Sequence, residues 1–480
     1  MKTPSFPNVD PVVWRRKNAV ARAFIVFGAV VLAAVLGVAV VVVVGQVTGP
    51  TRPAAGAKGQ TKQLVTELPP NSSPSPVLGR LDPNAKTPST TGLAAALAPA
   101  LANPALGSTA AVVVDPASGT TLFDQDGTAS LQPGSTMKLF TAIAAAKAVK
   151  PGTRLTTKVV AGAAPGEIVL VGGGDPTLSS QPTSTLYPGA ASVEQLAAAV
   201  RAAGIAPGSV TKVTVDDGAF AGPPQAVGWG AGDAPSTYAT PIYPVMVDAG
   251  RLSPEDKAQR TANPDLAAGT ALAAALGSPG AVVGRGQAGP GATLLGSVQS
   301  APIEDLIEQA LVNSDNVLAE ILGRQVAIAE GAQPSFTGAV SAVTKVVQGM
   351  GVDLTGFEAH DSSGLSMNDR ASAGSIASAL AVMAKGDQPL TDVVGSALAV
   401  AGYNGTLATR YLSGSAAAAA GDVRAKTGSL TAVDTLAGTV VTADGRLLIF
   451  ALISNGAPAQ DPARAALDEV AATMAGCGCQ

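Results

Sequence analysis

Leu131-Gln132-Pro133-Gly134-Ser135-Thr136-Met137-Lys138-Leu139-Phe140-Thr141-Ala142 joins a chain break, a serine, a lysine and the start of an apolar run. Pro133-Gly134 is the break, and the run continues through Ile143-Ala144-Ala145-Ala146, which reads as a helix. Ser135 therefore opens that helix. Residues three apart on a helix are neighbours, at roughly 5–6 Å between Cβ atoms. Lys138 then reaches the Ser135 hydroxyl, and the helix N-terminus adds positive potential beside it. Residues 139–149 are apolar on too many faces for a surface helix and read as a buried central helix beneath Ser135.

Two more motifs follow, Ser314-Asp315-Asn316 and Lys426-Thr427-Gly428, the second continued by Ser429. In order, the three supply a hydroxyl nucleophile, amine bases and a strand edge against which a peptide can lie. That is the equipment for acyl transfer through a serine without a histidine. Histidine is scarce, since His360 stands alone in the chain. A Ser-His-Asp triad would have to use it, and a metal hydrolase needs three or four ligands. No metal and no cofactor is expected, and His360, just ahead of a Gly-containing loop, reads as structural or as a cleft-wall residue.

Such short motifs also arise by chance. Ser209-Val210-Thr211-Lys212 is a second Ser-x-x-Lys, but it leads into the strand-like Val213-Thr214-Val215-Asp216, where residues three apart point to opposite faces. Ser366-Met367-Asn368 is a second Ser-x-Asn, whereas Lys-Thr-Gly occurs once. Gly172-Gly173-Gly174 lacks the Lys-Ser/Thr of a phosphate loop and reads as a tight bend after a strand.

The chain has 480 residues, a net charge of −4 and 13% charged residues, so it has room for two or three cores and no basic face for nucleic acid. Residues 23–44 are 22 positions without a charge, spanning ~33 Å as a helix, enough for a bilayer. Arg15, Arg16, Lys17 and Arg22 precede them, which places residues 1–22 in the cytoplasm and the remainder outside. A cleaved signal peptide would have a shorter apolar core and a small-x-small site close behind it. Ala55-Gly56-Ala57 lies well beyond, so an uncleaved single-pass anchor in the cell membrane is expected. Residues 45–91, rich in Pro, Ser and Gly, read as a tether with a mean reach on the order of 35–40 Å. Cys477 and Cys479 are too close together to staple a core; the spacing leaves a bond between the two, a free thiol pair or an adventitious metal contact open, and the segment reads first as a frayed tail.

Residues 93–98 read as a short helix stopped near Pro99, and 110–114 and 120–123 as strands joined by a turn. From 150 to 300 the character is of short strands separated by Gly and Pro. Residues 303–330 are helical. Residues 435–442 and 446–454 form a hairpin about Ala443-Asp444-Gly445. Asp461 reads as the N-cap of a last helix, with Pro462 at its first position.

These motifs resemble those of penicillin-binding D-alanyl-D-alanine carboxypeptidases. The likeness is to the low-molecular-mass class with large inserted domains, often with endopeptidase activity, and covers about residues 93–476. The 131–142 stretch resembles that family's nucleophile segment. Leu170-Val171-Gly172-Gly173-Gly174-Asp175-Pro176-Thr177-Leu178 resembles a segment typical of the class. Asp361-Ser362-Ser363-Gly364-Leu365-Ser366 resembles its Asp-Gly-Ser-Gly-Leu-Ser, with Ser362 where Gly is usual, and absorbs the second Ser-x-Asn. The separation of Ser135 from Ser314 far exceeds that in class A β-lactamases and small carboxypeptidases. The resemblance implies an α/β (α+β) transpeptidase-like, β-lactamase-like catalytic domain at 92–150 and 301–476, a five-stranded antiparallel sheet flanked by helices. It places β-rich inserted domains at 151–300.

The resemblance also implies a serine-type D-Ala-D-Ala carboxypeptidase, with DD-endopeptidase activity as a companion. It would trim peptidoglycan stem peptides through an acyl-enzyme and be inhibited covalently by β-lactams. Ser135 would attack the carbonyl between the terminal D-alanines. Lys138, its pKa lowered by Lys426 and burial, would take the proton. Ser314, bonded to a lysine, would relay a proton to the leaving amine. The Ser135 and Ser429 backbone N–H groups would form an oxyanion hole. Ser135, Lys138, Ser314 and Lys426 make the catalytic set. Asn316, Thr427, Gly428 and Ser429 make the substrate-binding set. In it Asn316 would bond the peptide, the Thr427 and Ser429 hydroxyls its carboxylate, and Gly428 would keep the strand edge clear.

Two alternatives share the motifs. A class A β-lactamase adds a glutamate in Glu-x-x-x-Asn, and Glu320, Glu330 and Glu358 all lack that Asn. A non-catalytic penicillin-binding sensor or scaffold would have no need of intact Ser135, Lys138 and Lys426.

Overall fold

The structure is a computed structural model that describes residues 84–385 and 391–480. The expected cytoplasmic segment 1–22, the anchor 23–44 and the tether as far as residue 83 lie outside the described residues. Among the described residues, no helix is long and apolar enough to cross a membrane. The end of the expected tether is docked on the fold. Ala85 and Pro88 are buried, and the Ser89 N–H donates to Cys479 O at 2.7 Å. The Ser89 side chain caps helix α1 (Thr90–Leu101), which runs on through Pro99, although proline has no N–H to give the Ala95 carbonyl.

Strands β1 (Ser108–Asp115) and β2 (Thr120–Gln125) follow, then a 3-10 turn, Gly134–Met137, that passes directly into α2 (Lys138–Ala148). Next come β3 (Arg154–Ala161), β4 (Glu167–Val171), β5 (Asp175–Leu178), α3 (Val193–Ala202), β6 (Lys212–Asp216), β7 (Val245–Val247), α4 (Pro264–Ala275), β8 (Val282–Arg285) and β9 (Leu294–Pro302). Helices α5 (Ile303–Val312), α6 (Asn316–Ala329), α7 (Phe336–Gly349) and α8 (Ala373–Ala384) lead to β10 (Ala399–Val400), β11 (Val423–Leu430), β12 (Val433–Val441) and β13 (Leu447–Asn455). Helix α9 (Gln460–Ala475) closes the chain. It starts from Ala459, so Asp461 stands in its first turn, where a carboxylate complements the helix dipole, and is not the N-cap.

The principal sheet has six strands, not five, in the order β10-β11-β12-β13-β1-β2, with every pairing antiparallel. The strand that sequence patterning misses is β10. Its two residues pair with Ala425 and Arg424 and are too short to show alternation. The central strands β1 and β13 read as unbroken apolar runs because both faces of the sheet are covered. Val112, Val114, Ile449, Ala451 and Ile453 pack into one core with α2 and α5–α8. Ala111, Val113, Leu448, Phe450 and Leu452 pack into another with Leu93 and Leu97 of α1 and Leu467 and Val470 of α9. Each such fully buried Leu, Val or Phe stabilises the fold by roughly 1.5–3 kcal/mol. Cys477 lies in this second core and is joined to Cys479 by a disulfide, so the C-terminus is not a frayed tail.

The segment between α2 and α5 builds its own sheet, β8-β6-β4-β3-β9. This sheet is mixed: β4–β6 and β6–β8 pair in parallel, and each parallel pair needs a crossover. α3 and α4 supply the two crossovers and pack on the sheet through Leu196, Val200, Leu272 and Leu276. A capping box of Ser192 and Gln195 starts α3. The short ribbon β5–β7 leads into residues 248–261, which lie against the start of α6.

Candidate active site

Ser135 stands in the 3-10 turn at the mouth of α2, and its Oγ accepts a hydrogen bond from Lys138 Nζ at 2.8 Å. Lys138 is buried, and Nζ also donates to Asn316 Oδ1 at 2.6 Å and to Ser363 O at 2.7 Å. Those three contacts use all three protons of an ammonium. A neutral Lys138 keeps two of them and turns its lone pair toward the Ser135 hydroxyl. Burial pulls Lys138 down to about 8, against Asp361, Glu320, Asp315 and Asp369, which push it up. Lys426, equally buried, donates to Ser314 Oγ at 2.9 Å and to Thr427 O at 2.6 Å. Burial first, and then the charge of Lys138, hold Lys426 well below the ordinary lysine value. For Lys138 burial is thus the main cause, and the like-charge effect expected there falls on Lys426.

Ser314 occupies the break between α5 and α6 with φ 57°, a left-handed conformation uncommon for serine. Asp315 caps α6 by accepting from the Leu318 N–H at 3.1 Å, and Asn316 is its first residue. Asn316 Nδ2 donates to Tyr238 O at 3.3 Å, so in this structure the Asn316 side chain grips Lys138 and the inserted segment.

At Gly428 a Cβ would stand 2.2 Å from Thr435 Oγ1, 2.8 Å from Pro133 O and 2.9 Å from Ser135 N. Strand β11 and the turn carrying Ser135 touch there, so the protein's own packing requires glycine. The Ser135 and Ser429 amide nitrogens flank this contact. Thr427 Oγ1 donates to Thr406 Oγ1 at 2.9 Å, and Ser429 Oγ donates to the buried Asp434 Oδ1 at 2.6 Å. Both hydroxyl protons are already donated, but Ser429 gives its own to a carboxylate and Thr427 only to another hydroxyl, a weaker hold, so the Thr427 proton is the more readily redirected to a bound carboxylate. Ser135, Ser314, Asn316, Thr427 and Ser429 line one cleft of about 1330 Å³, with Lys138, Lys426 and Gly428 behind them. The second Ser-x-x-Lys stands apart from the cleft: Ser209 bonds Ala206 O, and Lys212 pairs with Glu167 at the surface.

Over residues 93–263 and 253–474 the chain matches the D-Ala-D-Ala carboxypeptidase 3 (S13) family. The chain belongs to that family. It is 42% identical over 475 residues to carboxypeptidase DacB of Mycolicibacterium smegmatis, covering 98% of this chain and 99% of the relative. It is 41% identical over 401 residues to a carboxypeptidase of Mycobacterium tuberculosis, covering 82% and 86%. The fold is similar to that of penicillin-binding protein 4 (dacB) from Haemophilus influenzae, with a TM-score of 0.65 at 21% identity over 80% of this chain and 97% of the other. The protein is a serine-type D-Ala-D-Ala carboxypeptidase.

Several residues of this carboxypeptidase's site lie outside the Ser135, Ser314 and Lys426 motifs. Asp361 Oδ1 accepts from the N–H groups of Ser363 (2.9 Å) and Gly364 (2.6 Å). Its Oδ2 accepts from the Ser366 N–H (2.8 Å) and Trp229 Nε1 (2.7 Å). This fixes the loop whose Ser363 carbonyl receives Lys138. Ser362, unusual for the family, fits because residue 323 opposite it is glycine, whose Cβ would meet Ser362 Oγ at 2.1 Å. Asp369 faces Asp361, and burial and that carboxylate push it to about 10, so it is neutral at pH 7. Tyr238, Arg251 and Arg260 of the inserted segment also line the cleft. Of these, the stretch around Asp361 is the one singled out in the sequence; Tyr238, Arg251, Arg260 and Asp369 are not.

Glu320 is fully buried and accepts from the Ser362 N–H at 3.0 and 3.2 Å. Burial, then Asp361, push it to about 8 against Arg324. It does not line the cleft, where a class A β-lactamase would need its glutamate. His360 Nε2 is 3.1 Å from Glu358 Oε1, and the ring is not a cleft wall.

Proposed function

We propose that this carboxypeptidase cleaves the terminal D-Ala-D-Ala bond of peptidoglycan stem peptides through an acyl-enzyme on Ser135. It works outside the cytoplasmic membrane, to which residues 23–44 anchor it. The observation that carries the reading is the 2.8 Å contact between Ser135 Oγ and a buried Lys138. The Ser135 oxygen attacks the penultimate carbonyl carbon as its proton passes to neutral Lys138. The Ser135 and Ser429 amides carry the developing negative charge. When the C–N bond breaks, the departing D-alanine amine receives a proton along Ser314 and Lys426. Water then takes the place of the amine: as its oxygen attacks the ester carbonyl its proton passes back along Ser314 to Lys426, and as the ester C–O bond breaks Lys138 returns its proton to Ser135. Asn316 keeps Lys138 in line, and Thr427 holds the terminal carboxylate while the peptide lies along β11.

A β-lactam presents the same acyl carbon but keeps its amine tethered, so it acylates Ser135 and stays. Endopeptidase action differs only in the leaving amine, which then belongs to a second peptide. Anchoring is supported by the 22 uncharged positions behind Arg15, Arg16, Lys17 and Arg22. In detergent, the full-length protein should release D-alanine from a peptide ending in D-Ala-D-Ala, and Ser135→Ala should release none. Undiminished release by Ser135→Ala would sink the assignment.

A further inference from the structure

Asp315 is more firmly held than a helix cap requires. A cap needs only an acceptor for one or two backbone N–H groups, and Leu318 N supplies one at 3.1 Å. Yet the other oxygen, Oδ2, accepts from Tyr187 OH at 2.6 Å and from Arg251 Nη2 at 3.4 Å, with Arg260 Nη2 at 3.9 Å. All three partners belong to the segment inserted between α2 and α5. Both guanidinium side chains are nearly inaccessible, at 4% and 3% exposure. They are themselves pinned: Arg251 by Tyr187 OH (2.6 Å), Asp256 O (3.0 Å) and Asp248 O (3.2 Å), and Arg260 by Ala249 O (2.8 Å). Burial would raise the Asp315 carboxyl, but Arg260 and Arg251, with the Tyr187 hydroxyl, hold it below the usual carboxylate range.

The residues on either side of Asp315 explain what the clamp serves. Ser314 holds a left-handed conformation that costs a non-glycine residue ~1–3 kcal/mol and persists only where its surroundings impose it. Asn316 presents Oδ1 to Lys138 at 2.6 Å. Two further contacts from the same inserted segment reach this region, Tyr238 O to Asn316 and Trp229 Nε1 to Asp361.

We infer that Tyr187, Arg251 and Arg260 are positioning residues that act through Asp315 to hold Ser314 and Asn316 in register with the two lysines. The inserted segment is thereby part of the catalytic apparatus and not an appendage to it. This rests on the roles given above to Ser314 and Asn316.

The test uses the full-length enzyme in detergent, with D-alanine release measured from pH 6 to 10 and Tm recorded for each variant. Tyr187→Phe removes one hydroxyl from a ring that otherwise stays packed. It should lower kcat about tenfold, equivalent to ~1.4 kcal/mol of barrier, while KM stays within about twofold and Tm hardly moves. Arg251→Met should lose more, and Arg251→Lys should recover part of the loss. The groups facing Lys138 are Asp361, Glu320, Asp315, Asp369 and the second lysine, Lys426. Asp315→Asn removes one anion from that set, so the acid limb of its profile should move to lower pH, whereas Tyr187→Phe should leave the limb in place. Wild-type turnover by Tyr187→Phe and Arg251→Met would overturn the inference. So would losses that merely track the fraction of unfolded protein. A wild-type enzyme that never acylates at Ser135 would instead overturn the reading on which the inference rests.

Discussion

Asn316 Oδ1 accepts a hydrogen bond from Lys138 Nζ at 2.6 Å, tying two motifs that lie 178 positions apart in the chain. The contact makes Asn316 a partner of the proposed proton acceptor before any peptide arrives. Removing an acceptor from a buried, charged donor costs about 1–3 kcal/mol. Asn316→Ala should therefore slow acylation by a β-lactam roughly tenfold to a hundredfold. The second-order rate of adduct formation measures this, and a rate equal to the wild type would show that Lys138 needs no such anchor.

The acid limb of kcat/KM should report the lysine pair. Lys138 accepts a proton only when neutral, and burial brings it to about 8, while burial and the charge of Lys138 hold Lys426 well below the ordinary lysine value. Below that pH the ammonium form prevails, so activity should fall about tenfold per pH unit as pH drops from 8 toward 6. A profile flat to pH 5, or a limb near 4, would assign the proton to another group.

Gly428→Ala tests the contact between β11 and the nucleophile turn. Its methyl group would meet Thr435 Oγ1 and Pro133 O, both within 3 Å, along with Ser135 N. Overpacking of this kind costs typically 1–3 kcal/mol, and here the strain falls on the nucleophile. Acylation should drop at least a hundredfold, with a loss of Tm of several degrees. An active Gly428→Ala variant would show that the turn can give way freely.

Asp369 should make the fold less stable as pH rises. Its carboxyl is raised to about 10 in the folded chain from 3.8 in the unfolded one, so its contribution is complete below about pH 4 and is lost as pH climbs through 10. Asp369→Asn keeps an acceptor for the His360 N–H and faces Asp361 with an amide that needs no proton. Its Tm should decline less than that of the wild type between pH 6 and 9. Glu320, shifted in the same direction, leaves part of the decline in place. Parallel Tm curves for variant and wild type would rule out a neutral Asp369.

The sequence reveals most where local pattern and chemistry coincide. Ser135 and Lys138 are legible because three-residue spacing on a helix puts them in contact, as the 2.8 Å distance shows. The central strands are legible because both faces of β1 and β13 are apolar. Strand β10 is not, since two residues carry no period, and α3 and α4 are hidden in a segment rich in Gly and Pro despite the helical spacing of Val193, Leu196, Ala197 and Val200. Arg251 and Arg260 leave no trace, because nothing local links an arginine to a carboxylate more than fifty positions away. Cys477 and Cys479 look like tail residues until the packing of Cys477 against the second core is seen.

The central claim is that Ser135 carries the acyl group. Full-length protein incubated with a penicillin and digested should show the adduct mass on the peptide containing Ser135, alongside D-alanine release from a D-Ala-D-Ala peptide that the penicillin blocks. An adduct on any other residue, or D-alanine release that continues undiminished in the acylated enzyme, would contradict the account.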